Sequence, residues 1–402
     1  MLDPWLLLLI FSAIAIGWLL GYKSQRSAKV DTNSLHHQYY KGLNFLLNDQ
    51  PDGALDAFIE ALEVNSETLE THIAVGNLMR RRGEVDRAIR VHQNLLSRPS
   101  LPREQLHQAH LELAKDFISA GLLDRAELLL QDLMKEAPEL KTVAMRHLLE
   151  IYQDEKEWQQ ALDTAQQLLP KRSLLKSTLP IDSSVTVALA HYCCEMAEEA
   201  ISKKDYHTAR STLKQALSYD RDCVRASLLA ASVEYRTAHF YKAIKNLRKV
   251  REQDPVFIPE TINLLKSCYQ ELGDEPAFLN DLKQAIDICP SVTTLLELVE
   301  AIKDQQGNRA ATELFAAELN RRPSLRGVAK FVELHSSSEG GSRDDQSKAP
   351  LELLQTLLEQ LLASKPQYQC QQCGFAGKHL HWLCPGCKQW GQVKAIRGVE
   401  GD

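Results

Sequence analysis

Aromatic side chains make up only 6% of this 402-residue chain, and glycine and proline are modest. Leu, Ala, Glu, Gln and Arg dominate instead, side chains that lose little rotamer freedom on a helical backbone. A basic surplus is also missing: the net charge of -6 argues against nucleic-acid binding, and only the carboxy-terminal end, with Lys378, Lys388 and Lys394, is mildly basic. The phosphate-binding patterns G-x-x-x-x-G-K-S/T and G-x-G-x-x-G are absent, as are the nucleophile elbow G-x-S-x-G and the metalloprotease helix H-E-x-x-H. With those sets missing, the chain reads as a binding protein and not as an enzyme. A disulfide framework is excluded too, because nine cysteines is an odd number and four of them crowd into Cys370–Cys387. Cys193, Cys194, Cys223, Cys268 and Cys289 are scattered through helical pattern, where a small thiol packs much as alanine does.

Charge is missing altogether from Trp5 to Tyr22, a run of 18 residues. As a helix it is about 27 Å long, enough for a bilayer core, with Trp5 and Tyr22 at the two interfaces. Lys23, Arg26 and Lys29 follow, whereas Asp3 is the only charged side chain before it. By the positive-inside rule, residues 1–22 are a transmembrane anchor, 23–34 a juxtamembrane linker, and the bulk of the chain lies in the cytoplasm. The rival is a cleaved signal peptide ending near Ala13-Ile14-Ala15, but no basic leader precedes the apolar run. A buried core helix is the third reading, and it lacks the polar face such a helix normally shows.

The rest of the chain repeats itself. Gly42, Phe45, Ala54, Phe58 and Ala61 align at a spacing of 34 with Gly76, Met79, Ala88, His92 and Leu95. Further copies begin at Ala114, Leu149, Ala197 and Ala231, and two weaker ones contain Tyr269 with Phe278 and Ile302 with Phe315. Small residues at fixed positions let two antiparallel helices approach closely. Turns such as Arg82-Gly83-Glu84, Ala120-Gly121 and Lys204-Asp205 separate them, and Pro138, Pro255, Pro290 and Pro323 end second helices. The pattern resembles the tetratricopeptide repeat, although the consensus tryptophan is absent. The expected fold is therefore all-α: a repeat solenoid over 35–334, with an extra segment at Pro170–Ser184 that serves as a hinge or a landing site. Residues 335–350 read as a flexible linker. An amphipathic helix follows over 351–364, and its stripe of Leu351, Leu354, Leu357, Leu358, Leu361 and Leu362 is open to two uses, capping the array or binding a partner, with capping the expected one.

One constellation carries chemistry. Cys370-x2-Cys373 and Cys384-x2-Cys387 are separated by ten residues, a spacing at which four thiolates converge on one ion. Gly374 and Gly386 are expected to let the backbone curl. Such a closed S4 site suits one Zn(II) or one Fe and leaves no position for a catalytic water. His379 and His381, in the intervening loop, are expected at the surface beside Trp382. Residues 365–402 thus look like a rubredoxin-like metal-binding domain.

An amino-terminal anchor, eight or nine helical repeats and a carboxy-terminal rubredoxin-like knuckle together resemble the lipopolysaccharide assembly protein B family of Gram-negative bacteria, over the whole chain. The resemblance implies an inner-membrane adaptor facing the cytoplasm. It would regulate lipopolysaccharide synthesis by helping the membrane AAA+ protease FtsH degrade the lipid A pathway deacetylase, with links to lipopolysaccharide transport proteins. By the same resemblance the metal ligands are Cys370, Cys373, Cys384 and Cys387. Two other readings of the residues stand beside it: a structural organiser of another inner-membrane complex, and a metal-thiolate redox protein.

Overall fold

A computed structural model describes residues 69–97, 101–169, 183–338 and 348–398, together with isolated positions before residue 58. The Trp5–Tyr22 run lies outside the described residues except for Trp18, as do most of the first repeat copy and residues 170–182. Among the described residues no helix is long and apolar enough to cross a membrane. The chain divides into two compact units, Met1–Ile151 and Tyr152–Asp402.

The first unit holds α1 (Leu69–Arg81), α2 (Val85–Leu96), α3 (Arg103–Ser119), α4 (Leu123–Glu136) and most of α5 (Lys141–Glu155). These are helices because their apolar positions fall on one face: α2 buries Ala88, Val91, His92 and Leu95, spaced i, i+3, i+4, i+7. The close approach that the repeat requires is visible at Gly76, where an added Cβ would lie 2.5 Å from the His92 ring. Polar groups are buried between the pairs as well. Asp116 is wholly buried and accepts from Arg80 at 2.6 Å, and it lies 2.5 Å from His92 Nδ1.

The second unit continues with α6 (Trp158–Leu168), α7 (Ser183–Ser202), α8 (Tyr206–Tyr219), α9 (Val224–Arg236) and α10 (Phe240–Gln253). After a 3-10 turn at Pro255–Phe257 come α11 (Ile258–Leu272), α12 (Glu275–Ile288), α13 (Val292–Gln306), α14 (Asn308–Arg321) and α15 (Leu325–Ser338). A single apolar core runs from Ala231 in α9 through Leu247, Ile262, Leu265 and Leu282 to Phe315 in α14. Pro138, Pro255, Pro290 and Pro323 each follow a helix end by two residues, as expected of residues that cannot continue a helix. One residue at positive φ makes the turn within each of seven helix pairs: Gly83, Gly121, Lys156, Lys204, Ala238, Gly273 and Gly307.

Two expectations are corrected. The linker is shorter than its composition suggests: α15 runs to Ser338 and α16 (Lys348–Ser364) begins before Leu351. Serine is only mildly unfavourable in a helix, and Pro350 falls in the first turn of α16, where its missing N–H costs nothing. The leucine stripe of α16 does not cap the array as a whole. Leu358 is buried, whereas Leu354, Leu357 and Leu361 are exposed, Leu361 by 53%.

The chain closes on a small antiparallel sheet in the order β2-β1-β3, made of β1 (Tyr368–Cys370), β2 (Ala376–Gly377) and β3 (Val393–Ala395). Cys370 pairs with Val393 across it.

Candidate metal centre

Each half of the site is a tight turn opened by one cysteine and closed by another. Gly374 N–H donates to the Cys370 carbonyl at 3.1 Å, and Lys388 N–H donates to the Cys384 carbonyl at 2.9 Å. The residue after the second cysteine is left-handed in both turns, at φ 78° for Gly374 and 56° for Lys388. Gly386 therefore serves a purpose other than the expected curl. A Cβ there would stand 3.2 Å from Cys373 Sγ, inside the space the sulfurs occupy.

The four thiols come together, every sulfur within 4.8 Å of the others. Cys370 and Cys387 are 3.7 Å apart, and Cys373 and Cys384 3.6 Å. These are not disulfides, whose sulfurs bond at about 2.05 Å. They match the edge of a tetrahedron with metal–sulfur bonds of about 2.3 Å, which is roughly 3.8 Å. Burial works against ionisation of Cys370, yet the backbone N–H groups of Cys373 and Gln372, together with the Cys384 and Cys373 thiols, hold that thiol at about 7. Burial, reinforced by Cys384 and Cys370, pushes the Cys387 thiol up to about 12. The donor set fits one Zn(II) or Fe ion, which would supply a rigid cross-link between the turns. His379 is exposed and His381 packs edge-on against Phe375 at 5.8 Å; neither joins the thiol cluster.

The knuckle is docked on the helices of its own unit. Trp390 is buried, stacked on His191 of α7 at 4.8 Å and 15°, and its indole N–H donates to Gln153 at 3.0 Å. Tyr192 and Trp158 meet it edge-on, and the Arg225 guanidinium lies 6.0 Å from its ring centre. Trp382 stacks on Phe257 at 5.4 Å, and Leu380 joins Val224, Val250 and Phe257 in one apolar cluster. Polar contacts tie the rim: Lys394 to Asp254 at 2.7 Å, Tyr368 O–H to Glu260 at 2.6 Å, and Lys388 to Asp154. Arg397 donates to the Cys289 sulfur at 2.7 Å. This interface escapes sequence reasoning, because single residues on many helices build it without a spacing rule. One signal was available. In a chain so short of aromatics, Trp158, Tyr192, Trp382 and Trp390 converge on one place.

A helical-pair scaffold that carries a tetrathiolate knuckle against its own repeats is the class that fold and site define. Residues 368–395 match the family described as the rubredoxin metal binding domain. The chain is 35% identical over 397 residues to lipopolysaccharide assembly protein B of Escherichia coli (strain K12), covering 98% of this chain and 99% of that one. It is 34% identical over 404 residues to the protein of that name from Haemophilus influenzae, covering 98% of each. The chain belongs to the lipopolysaccharide assembly protein B family. Among solved structures, a tetratricopeptide-repeat protein with an unusual peptide-binding site, YrrB, covers 47% of this chain and 89% of its own, at 16% identity and a TM-score of 0.29.

Proposed function

We propose that this chain is a membrane-anchored cytoplasmic adaptor that regulates lipopolysaccharide synthesis by promoting FtsH-dependent proteolysis of the lipid A pathway deacetylase. On this reading it works by binding, without catalysis, and it also meets lipopolysaccharide transport proteins. The observation that carries the reading is the likeness over 98% of the chain to relatives named for lipopolysaccharide assembly. Physical reasoning supports it. Stacked helix pairs expose a long binding surface, and an anchor at Trp5–Tyr22 would raise the effective concentration of two clients at one membrane. The surface formed by His191, Tyr192 and Arg225 is taken up by the knuckle, so clients would bind to other repeats.

The test is the half-life of the deacetylase in cells with and without the chain. Loss of the protein should lengthen it and overproduce lipopolysaccharide. Deleting Trp5–Tyr22 should have a weaker effect of the same sign, because the repeats still fold but proximity to the protease is lost. An unchanged half-life would remove this client and leave an organiser of another inner-membrane complex.

A further inference from the structure

A cavity of about 290 Å³ lies where α12, α13 and α14 meet the tail of the knuckle. Ile286, Val292, Leu295 and Leu319 give it an apolar interior. Arg322 and Arg397 are the two basic residues of its lining. Arg397 is held in place by its bond to Cys289 Sγ, while Arg322 has no ion-pair partner among the described residues. The one acid on the wall, Glu318, is engaged by Arg321 at 3.2 Å. Ser291 and Ser324, which cap the N-termini of α13 and α15 by accepting from the backbone N–H groups of Thr294 and Gly327, also line it.

We infer that this cavity binds an amphipathic anion, with a medium-length acyl chain among the leucines and a carboxylate or phosphate head between Arg322 and Arg397. An apolar interior with few convergent polar groups is the usual make-up of a small-ligand site. Guanidinium suits either head group because its planar fork gives paired N–H donors. The volume takes roughly eight to ten carbons, since a methylene occupies nearly the space of a water, ~30 Å³. A neutral chain of the same length would leave Arg322 without a counter-charge, so it should bind more weakly. Arg397 and Gly398 supply part of the wall, which is complete only with the knuckle docked. This inference stands on the cavity alone and not on the adaptor reading.

The test uses the full chain in lipid nanodiscs, photolysed with a diazirine-bearing decanoic acid, with adducts mapped by mass spectrometry. Adducts should concentrate on the peptides that contain Leu295 and Leu319. Excess decanoate and decyl phosphate should suppress them, and their ranking separates a free acid from a phosphorylated lipid as the source. Decanol should compete at least tenfold less well. Arg322→Gln should weaken labelling about tenfold at limiting probe, and Leu295→Trp should abolish it by filling the interior. Leu295→Trp changes a residue packed in α13, so Arg322→Gln, at an exposed position, keeps the test independent of folding. Equal competition by decanol, or full labelling of Arg322→Gln, would overturn the inference. So would labelling of these peptides only after removal of Val399–Asp402, which would make the chain's own acidic end the occupant.

Discussion

At the scale of single residues, the repeat is held by positions where one atom more or one charge less is not tolerated. Three of the seven pair turns place a residue with a Cβ at positive φ: Lys156, Lys204 and Ala238, the last at 58°. A left-handed backbone costs such a residue about 1–2 kcal/mol, partly offset by the freedom glycine loses on folding. Ala238→Gly should therefore raise stability by about 0.5–1 kcal/mol, measured by urea unfolding at constant m-value; a loss would show that the turn carries no strain. The opposite sign is expected at Asp116, which is fully buried between Arg80 and His92. Asp116→Ala leaves the buried His92 Nδ1 without its acceptor, while Arg80 keeps Glu112 at 2.8 Å, a change that typically costs about 1–3 kcal/mol. A loss below about 1 kcal/mol would mean that water replaces the carboxylate.

At the scale of elements, the helix pairs are legible in the sequence because a 34-residue period fixes which side chains share a face. Ala88, Leu95, Ala126, Leu133, Ala209 and Leu213 are all buried, as that register requires. The four knuckle cysteines are equally legible, since a C-x2-C turn brings its sulfurs together by local geometry alone. The docking of knuckle on helices is not legible, because it depends on contacts such as Trp390 with Gln153, 237 residues apart. The same limit explains α16: periodicity shows that Leu354, Leu357 and Leu361 share a side, but not that the side stays exposed. Stability of the folded unit has a pH signature through His191, the residue on which Trp390 stacks. Burial, with the nearby Arg225 charge, lowers its pKa from 6.5 to about 3. Between those values the folded chain excludes a proton that the unfolded chain binds, so stability falls as pH drops through 6.5 and is little affected above it. From pH 7.5 to 5.5 the loss is about 1.3 kcal/mol for this group. His191→Phe keeps a ring for Trp390 to stack on and removes both the titration and the partnerless Nδ1. Its unfolding midpoint should lack that share of the pH dependence, and an identical pH profile in the variant would count against His191 as its source.

At the scale of the whole molecule, the metal knuckle and the helices beneath it share a core, so the ion's effect should reach beyond the last thirty residues. Leu380 and Trp382 pack with Val224, Val250 and Phe257, while Cys370 and Cys384 pack with Val393 at the sulfur cluster. A stretch of this length without its ion has little core of its own and should unfold. Unfolding it withdraws Trp390 from α7 and uncovers His191, Tyr192 and Arg225. The unit Met1–Ile151 has its own apolar packing, with Leu69, Leu95, Leu101 and Ala109 in one cluster and Ala126 and Leu130 fully buried, and contains none of the four ligands. Removing the metal with a strong chelator, or changing Cys384 to serine, should therefore act on one unit only. Hydrogen exchange should quicken in α7, α9 and the Pro255–Phe257 turn and stay unchanged in α3 and α4. Tryptophan emission should shift to the red as Trp382 and Trp390 meet water. Trp390→Ala, which leaves all four thiols in place, should retain the ion yet reproduce the faster exchange in α7, at a cost of about 3–5 kcal/mol. If α7 stays protected after metal loss, the knuckle is a passenger on the array. If α3 and α4 lose protection as well, the two units do not melt independently.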